Sequence, residues 1–432
     1  MIAEYAGMTI IRRATRRYLD SPGWAPLQGL KPPLPLHVSP YLLYVHIPFC
    51  RHLCSFCTFN RVIYDRDLAR EYFGCLHREL AMYRELGFRF DAVYVGGGTP
   101  TVSLPELEDL LHLARAFWPI RAVSVETNPD ALVPDVIDRL KRLGVNRLSV
   151  GVQSFDDEVL ESIGRRERYG SGREIAARVV SAAGAFDTLN VDLIYGFPLQ
   201  TESLLLQDLA AVRSAGADQV TLYPLMRRRA SGRRGAEMSR LRREGRFYSS
   251  MRRDLEHDFL PVSAWCFSRK ADRRRSPLAD EYILDRDDYV GCGAGAFGYS
   301  GGTLAANVFS VARYIAMVGQ GLLPLSAVRS FDARQSLRYD LLMKLFSGRV
   351  DLAALGAKHR VDASHALAVE LAALALAGAV QRDGDRCVKL TRRGAWLWVV
   401  LMREFFAGVN ALRERCISLD GNCEEAPHAL AV

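Results

Sequence analysis

The sequence predicts an α/β protein, a partial (β/α)6 TIM-like barrel followed by a small C-terminal winged-helix-like α+β domain. Three observations predict it. From residue 41 onward, short runs of β-branched and aromatic residues alternate with amphipathic helical stretches, the pattern of a parallel sheet with right-handed crossovers. Glycine, acidic and amide residues punctuate the ends of those runs, where such barrels carry their functional side chains. Further on, a helical stretch ends in two short runs turned by Asp383 and Gly384.

Residues 1–40 come first and are rich in Pro, Gly and basic residues. Pro32, Pro33, Pro35 and Pro40 break any helix there, so this N-terminal extension is expected to wrap a later domain. The expected strands are Tyr41–Ile47, Ala92–Val95, Ala122–Glu126, Arg147–Val150, Leu189–Ile194 and Gln219–Leu222. Between them the helical period recurs over Leu68–Leu86, Leu104–Phe117, Val133–Leu143, Arg173–Ala183 and Ser203–Ala215. These units define a core barrel over residues 41–225. Residues 226–330 lose the rhythm and are assigned to barrel completion and a substrate or second-ligand region. Residues 331–406 form the C-terminal domain, with strands expected at Val380–Arg382 and Val388–Leu390. A tail, 407–432, has little periodicity and is expected to fray.

Composition narrows the function classes. Of 432 residues, 49% are hydrophobic and 25% charged, which is ordinary globular usage and excludes a disordered chain, a rod or a collagen-like repeat. No apolar stretch is long enough to span a bilayer; Trp396–Phe406 is short and broken by Arg403 and Glu404. The N-terminus does not read as a signal peptide, so a cytoplasmic protein with no membrane partner is expected. The formal charge of +8 and the arginine run Arg227–Arg253 suit a solvated face or a grip on substrate carboxylates or phosphates. No nucleic-acid module surrounds the run, so no nucleic-acid partner is expected.

The nine cysteines carry the strongest chemical signal. Cys50, Cys54 and Cys57 follow the first strand at C-x-x-x-C-x-x-C spacing. Three thiolates on one loop can hold three irons of a [4Fe–4S] cube and leave the fourth open for a substrate. A structural zinc takes four protein ligands, and would need His46 or His52 to complete its set.

At this point the sequence resembles the radical S-adenosylmethionine superfamily, and most of all its oxygen-independent coproporphyrinogen oxidase-like family. The resemblance covers most of residues 41–400. It rests on Tyr44-Val-His-Ile-Pro-Phe-Cys50, Val95-Gly-Gly-Gly-Thr-Pro-Thr101, Glu126-Thr-Asn-Pro129, Gly151-Val-Gln-Ser-Phe155, Asp192-Leu-Ile-Tyr-Gly-Phe-Pro198 and Leu390-Thr-Arg-Arg-Gly394, in that order. It implies a [4Fe–4S] cluster on Cys50, Cys54 and Cys57 whose open iron chelates S-adenosylmethionine. It also implies cleavage of that cofactor to a 5′-deoxyadenosyl radical. By the same resemblance, Gly97, Gly98 and Thr99 meet the methionine end, Glu126 pairs with the ammonium and Arg165 with the carboxylate. Gln153 and Asp192 reach the ribose, while Tyr44 and Phe56 pack near the cluster and the adenosyl group.

Taken singly, each residue has another reading. Gly96–Gly98 can be a tight turn or a phosphate nest, Glu126 a helix N-terminal charge, Asp192 a buried structural acid and Arg165 a surface residue. The family hosts several reactions. Phe59 stands where coproporphyrinogen enzymes commonly carry a further cysteine. The His-Asn pair typical of haem-trafficking relatives is absent from Asp280–Tyr289. The reading is therefore methyl or methylene transfer to an sp² carbon of a specialised metabolite, by C-methylation or cyclopropanation. In that design a second S-adenosylmethionine supplies the carbon. The alternatives are an oxygen-independent coproporphyrinogen III oxidase and a haem-binding trafficking protein. The expected partners are a small-molecule substrate, a flavodoxin or ferredoxin as reductant, and a companion methyltransferase.

Overall fold

The computed structural model describes residues 25–26, 35, 40–226, 234–270, 278 and 286–419. Most of the N-terminal extension, the segment Arg227–Arg233, most of Asp280–Tyr289 and the last residues of the tail lie outside the described residues. Six parallel strands form the centre: β1 (Tyr41–Ile47), β2 (Phe90–Gly97), β3 (Ala122–Thr127), β4 (Arg147–Gln153), β5 (Thr188–Tyr195) and β6 (Gln219–Pro224). They lie side by side in chain order. All seven residues of β1 are buried, as a parallel strand covered on both faces requires.

Five helices make the crossovers: α1 (Arg66–Glu85), α2 (Leu104–Phe117), α3 (Pro134–Arg142), α4 (Gly172–Ala182) and α5 (Glu202–Ser214). Their starts follow local chemistry. Asp65 accepts from the backbone N–H groups of Asp67 and Leu68 at the start of α1. Ser171 and Glu174 form a reciprocal capping box on α4. α1 buries Tyr72, Phe73, Leu76, Leu80 and Tyr83 on one face, so helical spacing becomes a seal over the sheet.

After α6 (Arg234–Leu255) the described residues form six further strands, in a region where the sequence shows no strand rhythm. They are β7 (Phe259–Pro261), β8 (Cys266–Arg269), β9 (Tyr289–Cys292), β10 (Phe297–Ser300), β11 (Thr303–Asn307) and β12 (Leu325–Ser330). β8 and β7 extend the β6 edge antiparallel. β9 pairs parallel with β1, and β10, β11 and β12 continue antiparallel beyond it. Among the described residues the two edges of this sheet do not pair with each other, so the barrel is partial, as expected. Antiparallel pairs need no crossover helix, so these strands are short and lack the βα spacing that makes a parallel unit visible in sequence.

The interior is polar beneath the strand ends. Arg147, 2% exposed, donates to Gln219 at 2.9 Å and to Ser124 at 3.3 Å. Ser149, Asn190 and Thr221 continue the network.

The last elements are α7 (Val311–Gly319), α8 (Ala333–Phe346), β13 (Arg349–Asp351), α9 (Leu352–His359), α10 (Ala368–Leu376), β14 (Val380–Asp383), β15 (Cys387–Leu390) and α11 (Arg392–Leu419). The expected hairpin is present as β14–β15, with Gly384 at φ +74 in its turn and β13 added on the far side of β15. α11 does not stop near Phe406. It continues to Leu419 and carries Phe405, Phe406 and Val409 to the barrel mouth. It is tied down by an ion pair of Arg403 with Glu244, both buried, and by the bond from Trp398 Nε1 to Leu342 O. Trp265, fully buried, packs on Phe346 and Phe406, so it belongs to the core that joins the barrel to α8 and α11.

Candidate active site

The loop after β1 is built to present three sulfurs. Val62 N donates to Pro48 O and Tyr64 N to Cys50 O, both at 2.8 Å, which closes the loop at its base. Arg61 donates to the carbonyls of Cys54 and Cys57, and Arg413 of α11 donates to Thr58 O at 2.7 Å. Backbone carbonyls that would otherwise point at solvent are thus satisfied by guanidinium groups. Cys50 is buried, while Cys54 and Cys57 are half-buried. Burial pushes the Cys50 thiol up to about 11 and raises that of Cys57, so binding iron there must displace protons. Among the described residues, no three Cys, His, Asp or Glu side chains converge as they would on a single ion.

The end of β2 approaches this loop at backbone distance. Gly98 N donates to Ile47 O at 2.7 Å and Thr99 N to Phe49 O at 2.8 Å. A Cβ on Gly98 would lie 2.6 Å from Phe49 O, and one on Gly97, at φ +113, 2.6 Å from the His46 ring. Only glycine fits either position. Thr99 Oγ1 reaches Cys50 Sγ at 3.5 Å.

Glu126, at the end of β3, accepts from Tyr94 OH at 2.9 Å and Gly97 N at 3.0 Å; burial lifts its carboxyl to about 6. Gln153 ends β4 at φ +76, beside a register shift, a bulge that re-aims its side chain. Asp192 of β5 accepts from Ser149 at 2.7 Å and Asn190 at 2.8 Å, and burial raises its carboxyl.

Arg165 is no surface residue. It is 2% exposed, lies over the Tyr169 ring at 4.2 Å and donates to Asn128 Oδ1 at 3.0 Å and to Gly151 O. Its Nη1 also lies 3.7 Å from Cys54 Sγ, and its buried Nε meets no partner among the described residues. A buried guanidinium with an unmatched donor fits a site made for an anionic group. Phe56 meets Phe197 edge-on at 5.8 Å.

All twelve residues expected around the cluster and cofactor line one cavity of about 250 Å³. Sequence reasoning missed part of its wall. Asn128 donates to Thr99 Oγ1 at 2.8 Å while accepting from Arg165, although it stood inside a quoted motif. Asn410 and Arg413 come from α11, in the stretch read as tail. The apolar residues at 405, 406 and 409 keep a helical spacing that could have revealed them.

This is the fold and the strand-end site of a radical S-adenosylmethionine enzyme, and a family model described as the radical SAM superfamily matches residues 44–211. The "Heme chaperone HemW" of Mycobacterium tuberculosis is 30% identical over 417 residues, covering 89% of this chain and 97% of that protein. The "Oxygen-independent coproporphyrinogen III oxidase" of Bradyrhizobium diazoefficiens is 27% identical over 370 residues, covering 80% and 82%. Coproporphyrinogen III oxidase (HemN) from Escherichia coli matches in structure with a TM-score of 0.68 over 93% of each chain, at 23% identity. The chain belongs to the coproporphyrinogen oxidase-like (HemW/HemN) family of radical S-adenosylmethionine enzymes. Its site is one for an iron–sulfur cluster and S-adenosylmethionine, and its chemistry proceeds from a 5′-deoxyadenosyl radical.

Proposed function

We propose that this chain turns that radical on a tetrapyrrole-type substrate, in the manner of an oxygen-independent coproporphyrinogen III oxidase. The observation that carries the reading is the aromatic part of the cavity lining. There Tyr223, Phe297, Phe309, Phe405 and Phe406 form an aromatic surface suited to the flat face of a macrocycle. The relatives' names, a heme chaperone and a coproporphyrinogen oxidase, support the same substrate class.

In this reading Cys50, Cys54 and Cys57 hold a [4Fe–4S] cluster. When bound, it supplies the electron that cleaves S-adenosylmethionine to methionine and the 5′-deoxyadenosyl radical. Glu126 holds the cofactor's ammonium and Arg165 its carboxylate. Gln153 and Asp192 hold the ribose, Gly97, Gly98 and Thr99 line the methionine end, and Tyr44 and Phe56 exclude water beside them. A propionate side chain of the substrate would give up one hydrogen atom, then carbon dioxide and one electron to an acceptor, leaving a vinyl group. A flavodoxin- or ferredoxin-type carrier would supply the reducing electron.

One observation favours a second reading, methyl or methylene transfer from a second S-adenosylmethionine, acting alone or with a companion methyltransferase. Among the described residues, the cations of the wall, Arg61, Arg165 and Arg413, already bond carbonyls or Asn128, and Phe59 replaces the further cysteine. An apolar substrate would suit that wall better than a polycarboxylate.

The test is an anaerobic turnover of the reconstituted protein with dithionite, coproporphyrinogen III and S-adenosylmethionine carrying a deuterated methyl group. Vinyl products with unlabelled 5′-deoxyadenosine support the first reading. Deuterated 5′-deoxyadenosine with S-adenosylhomocysteine replaces it by the second. Haem binding without 5′-deoxyadenosine would replace both by a carrier role.

A further inference from the structure

The glycine-rich turn between β9 and β10 lies against the back of the cluster loop, and its polar contacts lead to the two ends of that loop. Tyr72, buried in α1, donates its hydroxyl to His46 O at 2.8 Å and accepts from Ala294 N at 2.8 Å. Asn60 Nδ2 donates to Ala294 O at 3.1 Å and to Phe309 O at 2.9 Å. His46 Nε2 lies 2.7 Å from Asn60 O. A carbonyl accepts only, so Nε2 carries the proton and Nδ1 accepts from Tyr44 OH at 2.9 Å. Burial lowers the His46 imidazole to about 4, which keeps it in this neutral, one-donor form.

His46 precedes Cys50 and Asn60 follows Cys57. Both ends of the cysteine loop are therefore tied to one another and to the same turn.

That turn is itself anchored. The carboxylate of Glu79, fully buried on α1, accepts from Gly293 N at 2.9 Å, Cys292 Sγ at 3.1 Å, Asn307 Nδ2 at 3.1 Å and Tyr314 OH at 2.7 Å. Four donors around one carboxylate hold the turn from the side away from the cavity. The approach is close enough to dictate sequence. A Cβ on Gly293 would lie 2.6 Å from both His46 O and Tyr72 OH, and one on Gly295 would lie 2.7 Å from Asn60 Nδ2. Both glycines have positive φ, +99 and +79. Gly293 and Gly295 are thus explained by their contact with Tyr72 and the cluster loop.

We infer that His46, Tyr72 and Asn60, anchored through Glu79, are positioning residues that hold both ends of the cysteine loop in the geometry that retains iron. The inference rests on the cluster reading of Cys50, Cys54 and Cys57. Tyr72→Phe removes both hydroxyl bonds while keeping the ring, which packs at 5.3 Å from Phe49 and 4.8 Å from Tyr314. Asn60→Ala removes the second tie at a half-exposed position.

Each variant and the parent would be reconstituted anaerobically, and iron release to a ferrous chelator followed by the visible absorbance. Iron-free protein would be melted by circular dichroism in parallel. The expected result is iron release roughly 10- to 100-fold faster, the usual cost of losing an outer-shell partner, with the iron-free Asn60→Ala protein melting as the parent does. Release rates equal to the parent's would overturn the inference. So would faster release matched by an equal loss of stability in the iron-free Asn60→Ala protein, which is what a merely structural role gives. If Tyr72→Phe fails to fold, Asn60→Ala decides. A parent that takes up no iron would instead overturn the cluster reading, a distinguishable outcome.

Discussion

Replacing Gly98 with alanine tests whether the cofactor segment and the cluster loop must meet backbone to backbone. The added Cβ would lie 2.6 Å from Phe49 O, 2.9 Å from the Pro48 carbonyl carbon and 3.0 Å from Cys50 Sγ. A comfortable C···O approach is about 3.3 Å, so the two segments must separate by roughly 0.7 Å. Neither can yield freely, because Gly98 N and Thr99 N bond Ile47 O and Phe49 O across the same gap. Overpacking costs about 1–3 kcal/mol, and a weakened backbone hydrogen bond adds about 1 kcal/mol. A loss of about 2–4 kcal/mol is therefore expected in urea unfolding of the iron-free protein. Less iron should also be held per chain after reconstitution. Gly74→Ala is the control. Gly74 lies in α1, where an added methyl would meet nothing within 4 Å, and the change should stabilise by about 0.5–1 kcal/mol. A Gly98→Ala protein with the parent's stability and iron content would refute the reasoning.

Other outcomes follow from the same geometry. Only the ionised form of Glu126 pairs with an ammonium, and burial lifts its carboxyl to about 6. S-adenosylmethionine affinity, measured by calorimetry, should fall as pH drops through that value, roughly tenfold per unit below it, and Glu126→Gln should flatten the dependence. Arg165→Lys cannot reproduce the fork to Asn128 and Gly151 together with the stack on Tyr169. Its cofactor affinity should drop on the order of tenfold, with the far-ultraviolet spectrum unchanged. Arg403→Ala would leave buried Glu244 with only its longer contact to Arg240, at 3.5 Å, and cost about 3 kcal/mol in urea unfolding. Replacing both residues with apolar ones should recover most of that loss.

The βα core was legible because parallel units impose two periods on the sequence. β1 spans the expected Tyr41–Ile47 and α2 the expected Leu104–Phe117. The strands of residues 259–330 were not legible, since short antiparallel edges need neither crossovers nor long apolar runs. β10, for instance, is Phe-Gly-Tyr-Ser. The cysteines, Gly97, Gly98, Glu126 and Asp192 stood out because they fall at strand ends in recognisable motifs. Arg165 was ambiguous beside Arg166 and Arg168, and only tertiary structure shows it buried over Tyr169. The bonds of Asn60, Tyr72 and Glu79 to the β9–β10 turn join residues more than 200 positions apart, and no local pattern encodes them. The roof supplied by α11 was hidden because its Phe405–Arg413 stretch contacts the barrel, not its own neighbours in sequence.

The central claim is that Cys50, Cys54 and Cys57 serve a cluster that splits S-adenosylmethionine in this cavity. The most direct measurement is 5′-deoxyadenosine formed per chain when the anaerobically reconstituted protein is mixed with dithionite and S-adenosylmethionine. The parent should form it, and a protein with the three cysteines changed to alanine should not. A parent with its iron and sulfide fully loaded that forms none, with either candidate substrate present, would contradict the account.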